Sequence, residues 1–293
     1  MSGRITLALL AVTPAVLAYP WTSPRDYWLL VLAATAVIVL FGRWRGMSFT
    51  TLLGRRAALV GRRGRIDAGG VSPVTTTALL RVGAPGGVPD ALPLSLVAGY
   101  LDRYGIRADK IRVTYRDGTS GPSGTTPREA WIALTVGAID NLTALRARSP
   151  RIPLHETAEV AARRLADHLR ETGWDAVVVG PDDVPRLLAT DARETWRGVR
   201  CGDSDYVAAY QVRVDDRLSE TLAEIRNHPT RESWVALEIT GERARPTMVA
   251  ACAFRTETPP ASAAPLDGLT PELGNQGRAL AVLGLTSTQR LRT

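Results

Sequence analysis

The tripeptide Asp203-Ser-Asp205 is the place where residue types most directly suggest chemistry. Two carboxylates one residue apart can hold a divalent cation and, through it, the phosphates of a nucleotide sugar. Its setting argues otherwise: the tripeptide precedes a stretch that reads as a strand, and Asp182-Asp183 and Asp215-Asp216 are equally acidic turns. These are read as solvated turns. The three histidines, His155, His168 and His228, stand at no metal-ligand spacing such as HExxH. Cys201 and Cys252 lie 51 residues apart with no ligand spacing around either, and are read as free buried thiols. Phosphate loops and nucleophile elbows are absent, because Gly83-Ala-Pro-Gly-Gly87 lacks the Lys-Ser/Thr and the helix that a phosphate loop requires. No catalytic residue, metal ligand or cofactor is assigned from these patterns.

A second group of residues suggests binding. Arg55-Arg56 and Arg62-Arg63 are seven residues apart, with Leu52, Leu53, Leu59 and Val60 between and around them, and Arg43 and Arg45 precede them. Continued as a helix from the segment before it, this stretch becomes a basic amphipathic stem. Arg43, Arg45, Leu52, Arg55, Arg56, Leu59, Arg62 and Arg63 are the candidate contacts to anionic lipid or to an acidic partner.

The charge distribution decides between partners. Residues 1–66 hold nine Arg and one Asp, whereas the other 227 residues hold 27 basic and 28 acidic side chains, so the net charge of +7 is local. It lies beside two charge-free apolar stretches, Ile5 to Pro20 and Tyr27 to Gly42. A membrane surface fits that position, and nucleic acid does not. At ~1.5 Å per residue each stretch spans roughly 24 Å as a helix, shorter than a ~30 Å hydrocarbon core. Tyr19, Trp21, Tyr27, Trp28 and Trp44 supply interfacial anchors, and Arg43 and Arg45 can snorkel. The expectation is a transmembrane hairpin joined by the turn at 21–26. A secretory leader competes for the first stretch, but cleavage would fall beside Pro20 and the second stretch would still anchor the product. The arginines that follow the second stretch place both termini in the cytoplasm.

Beyond residue 70 strand and helix signals alternate. Strands are expected from Val71 to Val82, through Ile111, Val113 and Tyr115, from Trp131 to Val136 and over Ala176 to Val179. Further strands are expected at Tyr206 to Val214, Trp234 to Thr240 and Thr247 to Phe254. Helices are expected where Leu94, Val97, Leu101 and Tyr104 share a face, from His155 to Thr172, near Pro185 to Thr190, and from Leu218 to Asn227. The fold class is α/β, a mixed sheet flanked by helices. The domain plan is a hairpin at 1–45, a basic stem at 46–70, a cytoplasmic α/β domain at 71–255, and a linker with a C-terminal helix at 256–293.

The hairpin followed by Arg43-Trp-Arg-Gly46, Thr50-Thr-Leu-Leu-Gly-Arg-Arg56 and Gly61-Arg-Arg63, with the late Gly274-Asn-Gln-Gly-Arg278, resembles the EccE family of the actinobacterial type VII (ESX) secretion machine. The resemblance covers the whole chain in layout. It implies a non-catalytic inner-membrane subunit packed with the EccB, EccC and EccD families, among which EccC is the ATPase. The short length resembles that of the paralogue tied to metal and siderophore homeostasis. The competing classes are a membrane-anchored glycosyltransferase-like enzyme at the inner leaflet and a standalone membrane-surface binding module.

Overall fold

The computed structural model describes residues 74–83, 92–118, 128–149, 152–189, 191–202 and 204–292, together with Thr13, Arg43–Trp44 and Met47–Ser48. The chain divides into two compact units, Met1–Arg63 and Gly64–Thr293. In the first unit β1 (Arg43–Trp44) and β2 (Met47–Ser48) pair antiparallel, Arg43 opposite Ser48 and Trp44 opposite Met47. The stem expected as a continuous helix therefore turns back on itself at 43–48. The apolar stretches 5–20 and 27–42, apart from Thr13, and the rest of the stem lie outside the described residues. Among the described residues no helix is long and apolar enough to cross a membrane.

The second unit has two halves. The first runs β3 (Thr75–Gly83), α1 (Leu94–Ala98), β4 (Asp102–Arg103), β5 (Ile106–Gly118), β6 (Glu129–Gly137), α2 (Leu142–Arg148), α3 (Leu154–Glu171) and β7 (Asp175–Val179). The second runs β8 (Arg193–Glu194), β9 (Val199–Cys201), β10 (Asp205–Val212), α4 (Leu218–Asn227), β11 (Glu232–Glu242), β12 (Arg245–Thr256), β13 (Leu269–Pro271) and α5 (Gln276–Leu283). The strands form one sheet in the order β7-β3-β6-β5-β11-β12-β10-β9-β8, with β13 beside β10 and β4 beside β5.

Taken in chain order, the long strands of the first half lie 4-1-3-2 in space, with a helix in each crossover. That is a split βαβ plait. The second half repeats it: β11-β12-β10-β13 is 2-3-1-4, with α4 in the first crossover and the Pro-rich segment 257–268 in the second. The plaits join second strand to second strand, from Ile111 opposite Ile239 to Gly118 opposite Glu232.

This topology corrects the mixed sheet expected from the alternation of helices and strands. Each crossover does link two parallel strands, but a third strand is inserted between them, so every pair of neighbours in the described sheet is antiparallel.

Side chains alternate between the two faces of the sheet. On one face Ile111, Val113, Ile132, Leu134, Val235 and Cys252 are buried under α1, α3, α4 and the 264–269 segment. The opposite face carries Ala133, Ala209, Ala236, Ala251 and Ala253 beside Trp131 and Trp234, whose rings stack with centroids 6.1 Å apart. Small side chains let a second layer approach closely. Leu280 and Leu283 of α5 and Leu285 beyond it fill that space.

α3 forms as its pattern predicts: Ala158, Ala162, Leu165 and Leu169 are buried, Arg163 and Glu159 pair at 2.7 Å on the outside, and Gly173 stops it at φ +90°. α4 also spans the expected residues. α1 does not reach Tyr104. It ends at Ala98, a 3-10 turn follows, and Tyr104 and Gly105 form a hairpin turn at φ +55° and +70°. β7, where Ala176 to Val179 suggest a strand buried on both faces, is an edge strand of the described sheet with Val177 exposed. No helix forms at the described residues near 185–189. The Pro-, Ala- and Thr-rich stretch from Thr256 to Pro271, which reads as the linker, is docked, because Ala264 and Leu266 pack on the core and β13 joins the sheet.

Candidate functional site

The alternation of Ile111, Val113 and Tyr115 with Lys110, Arg112 and Thr114 reads as a strand with one wet face. That face is instead covered. Lys110 and Arg112 on β5, and Glu238 directly opposite Arg112 on β11, are each 1% exposed. Arg112 donates from Nε and Nη2 to Glu238 Oε2 at 3.1 and 2.6 Å, and Lys110 Nζ lies 3.5 Å from the same oxygen.

Two cations and one anion leave a surplus positive charge inside the protein, which requires further acceptors. The C-terminal segment supplies them as backbone carbonyls. Lys110 Nζ donates to Ser287 O at 3.0 Å and to Gln289 O, and Arg112 donates to Val282 O, to Gly284 O at 3.2 Å and to Gln289 O at 2.8 Å. Glu238 Oε1 accepts the Leu291 amide at 3.0 Å, and Arg290 pairs with Asp109 at 2.5 Å. The segment after α5 is thus a strap laid across the seam between the plaits.

The strap is anchored by Gly274-Asn-Gln-Gly-Arg278. Gln276, fully buried, accepts the Ala209 amide at 2.7 Å and donates to the Ala209 carbonyl at 3.3 Å, acting as one more strand partner for β10 between β9 and β13. Gly274 takes φ +67°, and a Cβ there would overlap the Trp196 ring. Gly277 donates its amide to Glu194 at 2.8 Å.

Burial, with the Arg112 charge beside it, pulls the Lys110 ammonium down to about 8 despite Glu238. A lysine lowered in this way is the usual form of a catalytic amine. Here its Nζ faces carbonyls of the chain's own tail, so the arrangement is structural. The sign of its pH effect follows from proton counts. Between pH 8 and about 9 the unfolded chain holds the lysine proton and the folded chain does not, so stability rises with pH by about 1.4 kcal/mol per unit. Above about 9 the rise is cancelled, because burial raises the Cys252 thiol and the unfolded thiol loses its proton first, and above 10 the slope reverses, because burial raises Tyr210 to about 12 and raises Tyr100 as well. Denaturant midpoints measured from pH 7.5 to 9 should therefore rise in the wild type and stay flatter in Lys110→Met.

At the other end of the same strands Arg116 pairs with Glu129 at 3.1 Å and with Glu232, and Arg255 donates to Glu232 at 2.7 Å. Burial opposes the Glu232 charge, but the bonds from Arg255 and Arg116 outweigh it and hold its carboxyl below the usual range. Asp205 belongs to this network, 2.8 Å from Arg231 and 3.8 Å from Arg255.

Over 295 residues the chain is 55% identical to the ESX-3 secretion system protein EccE3 of Mycobacterium tuberculosis H37Rv, a match covering 99% of this chain and 86% of that one. The chain belongs to the EccE family. The EccE3 protein of Mycolicibacterium smegmatis is 50% identical over 291 residues, covering 99% of this chain and 90% of that one. The family model for EccE, described as a putative type VII ESX secretion system translocon, matches residues 125–212, a stretch that holds β6 to β10.

For this EccE chain, Arg43 sits in β1, while Arg45, Leu52, Arg55, Arg56, Leu59, Arg62 and Arg63 lie outside the described residues. No group of metal-holding side chains occurs among the described residues. Cys201 and Cys252 are buried on opposite faces of the sheet, each a free thiol, and burial pushes the Cys252 thiol well up. Sequence reasoning missed the buried cluster. Its signal was the chain's single lysine, placed two residues before an arginine inside an apolar strand.

Proposed function

We propose that this EccE-family chain is a non-catalytic structural subunit of an inner-membrane type VII (ESX) secretion complex, where it supports assembly or stability of the core machine. The observation that carries the reading is the near full-length likeness to EccE3 proteins named for the ESX-3 system. The two apolar stretches form a hairpin in the membrane with both termini cytoplasmic, and the α/β unit lies on the cytoplasmic side. The chain packs with EccB, EccC and EccD subunits. The alternative of a glycosyltransferase-like enzyme fits less well, since Asp205 is engaged by two arginines and is not free to hold a cation.

In this reading the stem is an assembly joint. Arginines contribute about 1 kcal/mol each near an anionic surface, a term insensitive to which one is removed. A buried Leu52 or Leu59 contributes roughly 1.5–3 kcal/mol and depends on shape. Leu52→Ser with Leu59→Ser is expected to release the chain from its complex while leaving it in the membrane fraction. Single Arg→Gln changes at 55, 56, 62 or 63 should leave co-purification intact. Co-purification of the double leucine variant with the full complex would reduce the stem to a lipid anchor.

A further inference from the structure

The first plait is unevenly roofed. α3 covers its part of the sheet with 18 residues, whereas α1 has 5 and is followed by a 3-10 turn. The space a longer first helix would fill is open. It is a cavity of about 200 Å³ between α3, the 100–104 turn and the end of α2, with Leu134 and Val136 of β6 and Ile106 of β5 in its lining.

The rim is built from arginines and tyrosines. Arg103 lies over the Tyr100 ring at 4.8 Å and the Tyr104 ring at 5.3 Å, and Arg164 lies over Tyr104 at 4.5 Å. Arg148 donates to the carbonyls of Ala144 at 2.8 Å and Tyr104 at 3.1 Å, and Arg103 contacts His168 at 3.3 Å. Among the described residues the partners of these three cations are thus rings, a histidine and carbonyls. Glu156 is the carboxylate among the lining residues. Tyr104 holds φ +55°, which is costly for a bulky residue, and its side chain stays half in solvent at 51% exposure. Val160, also on the rim, is 41% exposed.

We propose that this cavity is a docking site for an acidic segment of a partner protein, which seats one apolar side chain over Leu134 and Val136 and sets its carboxylates against Arg103, Arg148 and Arg164. Charge selects the occupant: three guanidiniums face one carboxylate, and planar guanidiniums hold carboxylates in bidentate pairs. Size excludes larger anions, because nucleotide and cofactor sites run from about 300 to 1,000 Å³ and this cavity holds one side chain. Nucleic acid is disfavoured as well, since the chain beyond residue 66 carries 27 basic and 28 acidic residues and projects no broad positive field. The site does not depend on which complex the chain joins.

The test places a photoreactive benzoylphenylalanine at Val160 of the full-length chain in its native membrane, followed by irradiation and mapping of the attached peptide. One protein segment should be captured, with an apolar residue and at least two Asp or Glu within four positions of it. Arg103→Glu with Arg164→Glu should lower the yield at least tenfold while leaving the chain folded, with the thermal midpoint down by no more than the several degrees that the lost ring contacts account for. Changing the captured carboxylates to Arg should restore the yield in that variant. A second readout needs no variant of the rim: irradiation of the extracted membranes at ~1 M salt, where screening falls to about 3 Å, should also lower the yield. Adducts with lipid or nucleic acid, with a segment lacking carboxylates, or at a yield no greater than from the same probe at the exposed Ile139, would overturn the proposal. So would a yield unchanged by charge reversal and by salt. A captured acidic segment from outside the secretion complex would support the docking site while counting against the assembly reading.

Discussion

Ending the chain at Gly284 is expected to unfold the α/β unit rather than trim a tail. The truncation removes Leu285, buried under the sheet, at roughly 1.5–3 kcal/mol. It also removes three hydrogen bonds that the Ser287 and Gln289 carbonyls accept from Lys110 and Arg112, and a hydrogen bond to a charged group contributes about 1.5–3 kcal/mol. The Leu291 amide on Glu238 goes as well. Together these losses rival the whole stability of a typical domain, about 5–15 kcal/mol. Limited proteolysis and thermal melting of the truncated chain should show a protease-sensitive body without a cooperative transition. A truncated chain that melts within a few degrees of the full one would show that the strap is dispensable.

Glu238→Ala is the second large effect, and its asymmetry is more informative than its size. Removing the one anion leaves Lys110 and Arg112 buried with uncompensated charge, an expected loss of about 3–5 kcal/mol. Lys110→Met removes one of the two cations, brings the cluster to neutrality and keeps the Arg112–Glu238 pair. It should cost little, and can stabilise. Glu238→Gln keeps an acceptor without the charge and should fall between them. Chemical denaturation of the three variants checks the order. Equal losses for Glu238→Ala and Lys110→Met would mean that the site responds to lost packing and not to charge balance.

These two sites also show where sequence reading stops. α3 and α4 are legible because their apolar residues recur at helical spacing and face one layer only. β5 with Lys110, Arg112 and Thr114 gives the signature of a half-wet strand, since period two reports which residues share a face and not what later covers that face. The covering strap comes 170 or more residues further on, and it acts through backbone carbonyls, which carry no residue-type signal. Helices alternating with strands suggested a mixed sheet for a related reason. The same alternation serves parallel sheets and split plaits, and only the pairing of β6 between β3 and β5 tells them apart. The short α1 shows a third limit: its apolar spacing continues to Tyr104, but the helix tightens into a 3-10 turn at Gly99–Leu101 and the chain reverses at Tyr104 and Gly105, both at positive φ. Around 43–48 the apolar-and-arginine pattern favoured a helix, whereas the chain reverses in a tight antiparallel pair.

The central claim is that this EccE-family chain acts as a structural part of a larger membrane assembly. Gentle detergent extraction of the tagged full-length chain, followed by size analysis and identification of what travels with it, tests that most directly. A large particle containing an ATPase with a phosphate-binding loop and the other secretion subunits is the predicted result. A chain extracted alone from intact, actively secreting membranes would contradict it.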